Sequence, residues 1–206
     1  MRQIGPKNRL ARRLGIDLGL KTPGTKSHAR LLKKINVAPG QHGTARRRKT
    51  TEYGSQLKEK QKLRYIFGLT DGRLKRYFKE AVKKKGNTAD YLASTLERRL
   101  DNIVYRLGLS PTRAAARQLI SHGHVKVNDK LVNIASYEVK INDVISYANE
   151  RVLKIPYIEK SLANKDILLP FWLVREGPAG KLIKAATADE INKQINLKYI
   201  IEFYSR

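Results

Sequence analysis

Residues 96–133 decide the fold, and they read LERRLDNIVYRLG (96–108), SPTRAAARQLISHG (110–123) and HVKVNDKLVN (124–133). The first two parts carry apolar residues at helical spacing, and each ends at a glycine. The third part alternates apolar and polar residues around a short polar turn, which is typical of a β-hairpin. The stretch therefore predicts two helices packed beside a small antiparallel sheet. A basic helix beside a tight hairpin forms a rigid edge that suits a folded RNA backbone.

Two arginines give the second of these helices its charge. Arg113 and Arg117 are four residues apart, so both side chains project from the same helix face. Glu97 and Asp101 are the only acidic residues near them, so internal ion pairs neutralise at most part of this charge. We therefore predict that Arg113 and Arg117 contact RNA.

The helices are predicted from their caps, their apolar spacing and the glycines that end them. Ser55 is the predicted N-cap of the first helix, because a serine side chain can accept a hydrogen bond from the first turn. Ser110 is the predicted N-cap of the last helix, with Pro111 at its first position. The predicted helices cover residues 55–68, 71–85, 87–108 and 110–123.

The hairpin is predicted from its turn. Residues 125–127 and 131–132 flank a turn at Asn128 and Asp129, two residue types that tolerate positive φ. Beyond the hairpin, the sequence predicts a further strand at 143–147, a buried or edge strand at 171–174, and a tail at 196–204 that forms either a strand or a segment closing back on the helical domain.

The composition indicates a polyanion as the partner. The chain has 206 residues, a net charge of +25 and an apolar fraction of 41%, which is enough for packed cores. Residues 1–95 carry +19 and residues 96–206 carry +6, so we expect the N-terminal half to be the more deeply embedded in phosphate. Only 7% of the residues are aromatic, which argues against a platform for stacking single-stranded bases.

Several classes of protein are disfavoured by what the sequence lacks. It has no apolar run of membrane-spanning length and no signal peptide, so we expect a cytoplasmic protein without membrane contact. Zero cysteines exclude disulfides, thiolate nucleophiles and cysteine-ligated zinc. His122 and His124 lack the companions of a metal site, and no Walker loop or nucleophile elbow is present. We therefore predict no enzymatic activity, no metal, no cofactor and no homo-oligomer.

Residues 1–50 are predicted to be extended or loop-like, because glycines and prolines interrupt them repeatedly. Within them, residues 38–43 (APGQHG) predict a tight turn whose exposed amides can receive a phosphate. The basic cluster RRRK follows at residues 46–49. An ordinary surface turn with a solvated charge run fits the local sequence equally well, and the overall charge favours RNA.

Longer strings, spread over most of the chain, resemble one family. They are APGQHG (38–43), QLKEKQK (56–62), KGNT (85–88), RLDNIVYR (99–106), TRAAARQ (112–118), VNIASY (132–137) and EFYSR (202–206). A helix–hairpin module alone would be a weak signal, since it is grafted onto many RNA-binding proteins. In this order, the strings resemble the bacterial family of small-subunit ribosomal protein S-four.

This resemblance implies an α+β fold, with a helical first domain and an inserted α/β module of two helices on a small antiparallel sheet. It implies a structural protein that binds the 5′ domain of 16S ribosomal RNA early in subunit assembly. It also implies a place beside two neighbouring small-subunit proteins at the channel through which mRNA enters, where residues 46–49 would face the mRNA and one protein contact would affect decoding accuracy. Some members carry a cysteine cluster for zinc; this chain does not.

We predict three parts: an extended basic segment at 1–50, a helical domain at 51–95 completed by 196–206, and an α/β domain at 96–195 with its RNA-binding module at about 96–160. The match to the family is poor between residues 150 and 170. The candidate RNA-binding residues are Gly40, Gln41, His42, Gly43, Arg46, Arg47, Arg48, Lys49, Tyr53, Lys58, Lys62, Arg99, Asn102, Arg106, Arg113, Arg117, Gln118, His122, Lys126 and Asn128.

Two other functions would use the same module. A free-standing RNA chaperone is disfavoured because residues 1–90 and the C-terminal string also resemble the ribosomal family. An rRNA-modification enzyme is suggested by residues 99–101 (RLD), which are similar to the motif that carries the catalytic aspartate of pseudouridine synthases. Asp101, however, lies within the first helix of the module, and no large catalytic domain follows.

Overall fold

The structure, a computed structural model, describes residues 5–45, 49–163, 168–192 and 194–205. The chain divides into two compact units: Met1–Leu92 with Ala188–Arg206, and Ala93–Thr187. Helices and an antiparallel sheet are both present, so the prediction of an α+β fold is confirmed. The first unit is helical, and the second contains the sheet.

Threonine caps begin three of the helices in the first unit. The side chains of Thr25, Thr51 and Thr70 each accept a hydrogen bond from a backbone N–H in the first turn of the helix that follows. The helices of this unit are α1 Lys7–Leu14, α2 Lys26–Lys33, α3 Glu52–Ile66, α4 Asp71–Val82, α10 Ala188–Asn192 and α11 Leu197–Ser205. Helix α5 Thr88–Glu97 begins in this unit and ends in the second.

The first fifty residues contain more helix than the sequence predicted. Helices α1 and α2 lie in a segment that we expected to be extended, because Ala11, Leu14 and Leu31 are buried and give both helices an apolar face. Glycines interrupt the chain between the helices without preventing them; Gly15, for example, ends α1 in the left-handed conformation with φ of 71°. The glycine- and proline-rich composition of this segment therefore did not predict α1 and α2, two short helices that tertiary packing stabilises.

The C-terminal tail closes back on the first unit as a helix. The tail, for which the sequence allowed a strand, forms α11 and packs against α3. Gln56 of α3 is buried and donates hydrogen bonds to Glu202 at 3.1 Å and to Glu52 at 3.2 Å. The ring of Phe203 lies 5.7 Å from that of Tyr53, measured between centroids. Residues far apart in the sequence therefore share one helical core.

Three helix boundaries differ from the predicted ones. Helix α3 begins after Thr51 rather than Ser55, and the helix predicted for 110–123 begins after Thr112 rather than Ser110, since the threonine side chains make the capping bonds. The predicted helix 87–108 is broken in two, because Arg99 has an extended backbone (φ −64°, ψ 135°). The resulting helices are α5, α6 Leu100–Arg106 and α7 Arg113–Ser121.

The second unit is organised around a five-stranded antiparallel sheet with the order β2-β1-β3-β5-β4. The predicted hairpin is confirmed: β1 and β2 pair across a turn in which Asn128 and Asp129 have φ of 48° and 62°. The strands are β1 Val125–Val127, β2 Lys130–Leu131, β3 Val144–Tyr147, β4 Leu173–Glu176 and β5 Ala179–Leu182, and two further helices are α8 Glu150–Leu153 and α9 Pro156–Ala163.

Helices α6 and α7 pack on one side of this sheet around a continuous apolar core. Leu100 and Ile103 of α6 and Leu107, which follows its last residue, are fully buried, and Trp172 before β4 is equally buried. Strand β5 lies close to the C-terminal end of α6, because a Cβ at Gly180 would stand 2.5 Å from a methyl carbon of Leu107. Glycine at this position therefore allows the sheet to approach the end of α6 closely.

Tyr204 of α11 stacks on Phe78 of α4, with 5.0 Å between ring centroids. Its hydroxyl oxygen is buried and, within the described parts of the chain, has no hydrogen-bond partner. Burial, together with a smaller effect of the nearby Asp71 carboxylate, raises the pKa of Tyr204 to about 12, and the positive charge of Arg64 opposes both effects. A buried phenol with this pKa favours folding in its neutral form, and this contribution is lost as pH rises from about 10 to about 12.

We predict that Tyr204→Phe changes the free energy of unfolding at pH 7 by less than about 1 kcal/mol, because no hydrogen bond is lost. Between pH 10 and 12 the variant should lose less stability than the wild type, since the group that must ionise is gone. Urea unfolding at pH 7 and pH 11 measures both effects. Tyr53→Phe is the matched control, because Tyr53 is 52% exposed. An equal alkaline loss in Tyr204→Phe and wild type would contradict the prediction.

Candidate RNA-binding surface

Glu97 at the end of α5 is the centre of a buried polar network. Its side chain is fully buried and accepts hydrogen bonds from Arg106 Nη2 at 2.8 Å and from Asn102 Nδ2 at 2.5 Å. Asn102 in turn accepts a hydrogen bond from Arg113 Nε at 2.8 Å. The network thus joins α5, α6 and α7 through side chains, and it fixes where the guanidinium groups of Arg106 and Arg113 lie.

Arg113 is held between this network and an aromatic ring. Its guanidinium carbon lies 4.3 Å from the ring centroid of Tyr105, a cation–π contact. Burial lowers the pKa of Arg113, because the interior disfavours the charged form, and the negative charge of Glu97 is the largest opposing effect. An arginine still keeps its charge under physiological conditions, so a positive charge is maintained at this partly buried position.

Asp101 forms a second, neighbouring ion-pair cluster. Its carboxylate, 3% exposed, accepts hydrogen bonds from Arg99 Nη2 at 2.9 Å and from Arg117 Nε at 3.0 Å. The side chain of Arg99 is equally buried, whereas that of Arg117 remains 26% exposed. The two clusters together contain four arginines and two carboxylates, and we call these six residues with Asn102 the arginine cluster.

The arginine cluster buries two of the predicted contact residues. Arg99 and Asn102 are buried and hydrogen-bonded internally, so their side chains are not displayed to an RNA backbone. The sequence placed them on a helix face but did not show that Asp101 and Glu97 would draw them into the interior. Arg106 and Arg117 are partly exposed, at 23% and 26% of their side chains, and they stay in the candidate surface.

The edge formed by α7 and the hairpin presents further candidate residues. Gln118 of α7 and His122, the C-cap of that helix, are exposed, and Lys126 points away from the core because its neighbours in β1 point inward. Asn128 is exposed at the turn, but its side chain donates a hydrogen bond to Asp143 at 2.8 Å and accepts one from the backbone of β3. Asn128 therefore connects the turn of the hairpin to β3 and the residue before it.

The predicted turn 38–43 is present in the first unit. Gly40, Gln41 and His42 are exposed, and Gly43 is half-buried. A Cβ at Gly43 would lie 2.0 Å from the carbonyl oxygen of Ala38, so the turn requires glycine there. The turn therefore displays backbone and polar side chains at a surface, as a phosphate-receiving turn must.

The other candidates in the first unit have mixed environments. Lys49 and Tyr53 are exposed. Lys58 is half-buried, and Lys62 is paired with Glu59, its Nζ lying 2.6 Å from the carboxylate. The carboxylate of Glu59 partly neutralises the charge of Lys62, so Lys62 is a weaker phosphate ligand than an exposed, unpaired lysine. Arg46, Arg47 and Arg48 lie outside the described residues.

A basic surface on α4 was not among the sequence candidates. Helix α4 buries Leu74, Phe78 and Ala81 and turns its other sides outward. The signal was available in the sequence, because the same amphipathic pattern that identifies the apolar stripe also identifies the opposite face. The exposed basic residues of α4 and the segment after it are Arg73, Lys75, Arg76, Lys79, Lys83, Lys84 and Lys85.

The described residues contain no group of three or more histidine, cysteine, aspartate or glutamate side chains placed to hold a metal ion. In the part of the chain that the structure covers, no helix is both long and apolar enough to cross a membrane. The chemistry that the surface offers is therefore that of fixed guanidinium, ammonium, amide and imidazole groups, which bind phosphate by charge and hydrogen bonds.

Two family models match the chain. Residues 98–145 match the S4 domain, and residues 2–97 match the ribosomal protein S4/S9 N-terminal domain. The first match covers α6, α7 and the hairpin, the elements that carry most of the arginine cluster. The fold and the surface thus define an RNA-binding protein of the S4-domain class.

Curated relatives extend the similarity to the whole chain. The small ribosomal subunit protein uS4 of Aquifex aeolicus is 45% identical over 213 residues, which cover 100% of this chain and 99% of the relative. Those of Natranaerobius thermophilus and Chromobacterium violaceum are 44% and 42% identical, also over 100% of this chain and 99% of each relative. The chain belongs to the small ribosomal subunit protein uS4 family.

The family assignment confirms the resemblance seen in the sequence. Its members are structural, non-enzymatic proteins of the ribosome, and in bacteria they are cytoplasmic. The prediction that the chain is not an enzyme is confirmed on this ground. Asp101, the residue that suggested pseudouridine chemistry, is instead the acceptor of two arginine side chains.

We predict that Glu97→Gln lowers the free energy of unfolding by about 2 kcal/mol or more, because it removes the buried charge that compensates Arg106. Glu138→Gln is the matched control: its pair with Arg98 is 3.0 Å long, but its side chain is 53% exposed, so the loss should stay below about 1 kcal/mol. Chemical denaturation of the two variants and the wild type gives both values. Equal losses would contradict a special role for the buried pair.

Proposed function

We propose that this chain is an early-binding protein of the small ribosomal subunit that recognises the 5′ domain of 16S ribosomal RNA. The observation that carries the proposal is the arginine cluster, in which hydrogen bonds to Glu97, Asp101 and Asn102 hold four guanidinium groups in place. Arg106 and Arg117 keep 23% and 26% of their side chains exposed, so their fixed positive charges attract and bind a phosphate backbone. The relatives' name, small ribosomal subunit protein, supports the ribosome as the place of action.

The geometry supports recognition of RNA shape. Hydrogen bonds that the guanidinium groups donate to Glu97, Asp101 and Asn102 hold them before any ligand arrives, so little side-chain entropy is lost on binding. The adjacent hairpin is equally fixed, by the Asn128–Asp143 hydrogen bond of 2.8 Å. Because the major groove of A-form RNA excludes side chains, a rigid set of charges selects an arrangement of backbones.

The same proposal assigns RNA contacts to each of three parts of the chain. We infer an RNA-binding basic segment at 1–50, a helical domain at 51–95 completed by the tail, and an α/β domain at 96–195 that carries the arginine cluster. The exposed turn 38–43 and the basic surface of α4 support RNA contact by the first two parts. The partly exposed Arg106 and Arg117 support contact by the third.

A more specific role concerns messenger RNA. We propose that the basic residues after the turn, Arg46 to Lys49, line the channel through which mRNA enters, beside neighbouring small-subunit proteins. The exposure of Lys49 supports this, as does the family resemblance. A contact with one neighbour would then influence decoding accuracy. Each copy acts within one ribosomal subunit, so no homo-oligomer is expected.

Salt-dependent RNA binding tests the proposed function. We expect the protein to bind a 5′-domain fragment of small-subunit rRNA more tightly than a mismatched RNA of equal length, and to keep this preference at high salt. High salt reduces the part of the affinity that comes from counterion release, whereas a preference that depends on RNA shape persists. Equal binding of both RNAs that vanishes with salt would contradict the proposal and favour a general RNA chaperone.

The hairpin's part in binding has its own prediction. Changing Lys126 and Lys130 to glutamine should lower the slope of log K against log salt by about 2, because two phosphate contacts are lost. In the matched control, Arg151 of α8 and Lys160 of α9, which are both exposed, are changed to glutamine. The control variant therefore has the same net charge as the hairpin variant. If both double variants lower the slope equally, the hairpin is not a specific contact and net charge alone determines binding.

The mRNA role is tested by changing Arg46, Arg47 and Arg48 to alanine. We expect ribosomes carrying this protein to assemble normally, because the arginine cluster is intact, but to move slowly through mRNA with stable secondary structure. Translation rates on structured and unstructured messages of equal length measure the effect. Normal passage through the structured message would rule out the proposed role of these three residues.

A further inference from the structure

Arg12 of α1 makes two hydrogen bonds to consecutive backbone carbonyls more than twenty residues further along the chain. Its Nε donates to the carbonyl oxygen of Val37 at 2.9 Å, and its Nη2 donates to that of Ala38 at 2.8 Å. The planar guanidinium offers two N–H groups at a fixed spacing, which matches two neighbouring acceptors. The side chain is half-buried, so it is used here as a structural clamp rather than as an exposed charge.

The clamp is attached at the start of the turn 38–43. The carbonyl oxygen of Ala38 is also the atom that a Cβ at Gly43 would meet at 2.0 Å. Two further backbone hydrogen bonds close the loop: Gly43 N–H to Gly40 at 3.3 Å and Ala45 N–H to His42 at 3.1 Å. Arg12 and Gly43 therefore approach the same carbonyl, and both are needed for this turn geometry.

Apolar packing contributes little to the order of this segment. No residue from 32 to 45 is buried, whereas Leu31, just before it, is 2% exposed. A segment without buried side chains must be ordered by hydrogen bonds, because the entropy of the chain opposes a single conformation. The hydrogen bond between His28 Nε2 and Asp17 Oδ2, 2.7 Å long, connects α2 to the segment after α1, but it does not reach the turn. The Arg12 clamp does reach the turn.

We propose that Arg12 is a positioning residue for the turn 38–43: it holds the turn in the conformation that receives RNA and is not itself a phosphate ligand. This inference rests on the proposed function, in which the turn contacts ribosomal RNA. Without the clamp, the turn becomes one conformation among many, and binding must supply the ordering free energy.

Hydrogen exchange in the full-length protein tests the clamp without any RNA. Arg12→Lys keeps the charge but replaces the planar pair of donors with a single ammonium, so it should accelerate exchange of the Gly43 and Ala45 amides about tenfold. Arg12→Gln should do the same. Arg13→Gln is the matched control, since Arg13 is exposed on the same helix, and it should leave these amides unchanged. Unchanged exchange in both Arg12 variants would overturn the proposal.

RNA binding separates a positioning role from a phosphate contact. Arg12→Lys should weaken binding of the 5′-domain fragment about tenfold with the salt slope unchanged, because charge is retained and preorganisation is lost. A phosphate-binding arginine would behave differently: its change to lysine would keep the affinity, and its change to glutamine would lower the slope by about 1. That pattern at Arg12 would overturn the positioning role.

A second route to the same turn controls for loss of folding. Gly43→Ala should reproduce the exchange and affinity changes of Arg12→Lys, because both act at the Ala38 carbonyl. Gly72→Ala in α4, where an added Cβ meets nothing within 4 Å, should change neither. If Gly43→Ala loosens the turn while affinity stays at the wild-type value, turn order does not matter for binding and the inference fails. If the wild type itself has no preference for the 5′-domain fragment, the proposed function fails, while the exchange data still test the clamp.

Discussion

The structure of the second unit depends on two buried carboxylates, Glu97 and Asp101, which together with Asn102 hold four arginines. A buried charge is costly unless it is paired and hydrogen-bonded, so each carboxylate requires its guanidinium partners, and the partners are thereby fixed. Helices α5, α6 and α7 are joined through these bonds rather than through apolar contacts alone. The same constraint that stabilises the helices therefore fixes a set of guanidinium groups, of which those of Arg106 and Arg117 stay partly exposed.

In the first unit, too, an arginine that is hydrogen-bonded within the protein fixes the position of a surface feature, the turn 38–43. Its turn 38–43 has no buried side chain, so order comes from backbone hydrogen bonds, a glycine that permits close approach, and the guanidinium of Arg12. In both units an arginine side chain bonded within the protein determines where groups available to RNA lie. Arginine suits this work because its donors are numerous, planar and permanently charged. A net charge of +25 attracts RNA in general, and these fixed positions supply the shape that specificity requires.

The sequence predicted the fold class, the hairpin and most helices, because those depend on local signals. Asn128 and Asp129 adopt the positive φ that their types tolerate, and Gly123 follows the end of α7 with φ of 72°. The prediction from the sequence was wrong where two local signals competed. Ser110 and Thr112 are both good caps, and only the packing of α7 on α6 decides between them. The break at Arg99 was missed for a related reason: apolar spacing continues through the break, but the backbone N–H groups of Leu100 and Asp101 donate to Tyr137 and Ala135 instead of continuing the helix.

The amino-acid sequence by itself determined the charge, the RNA-binding class, the family and the elements whose signals lie within a few neighbouring residues. Only the tertiary structure decided which basic residues face outward. Arg99 and Arg117 look alike in the sequence, yet the first is buried with Asp101 and the second remains partly exposed. Likewise, Arg12 reads as one more basic residue until the chain folds and brings Val37 and Ala38 to it. The physical reason is that burial and ion pairing depend on residues that folding brings together from distant parts of the chain. The spacing of residues along the sequence does not show which of them will meet.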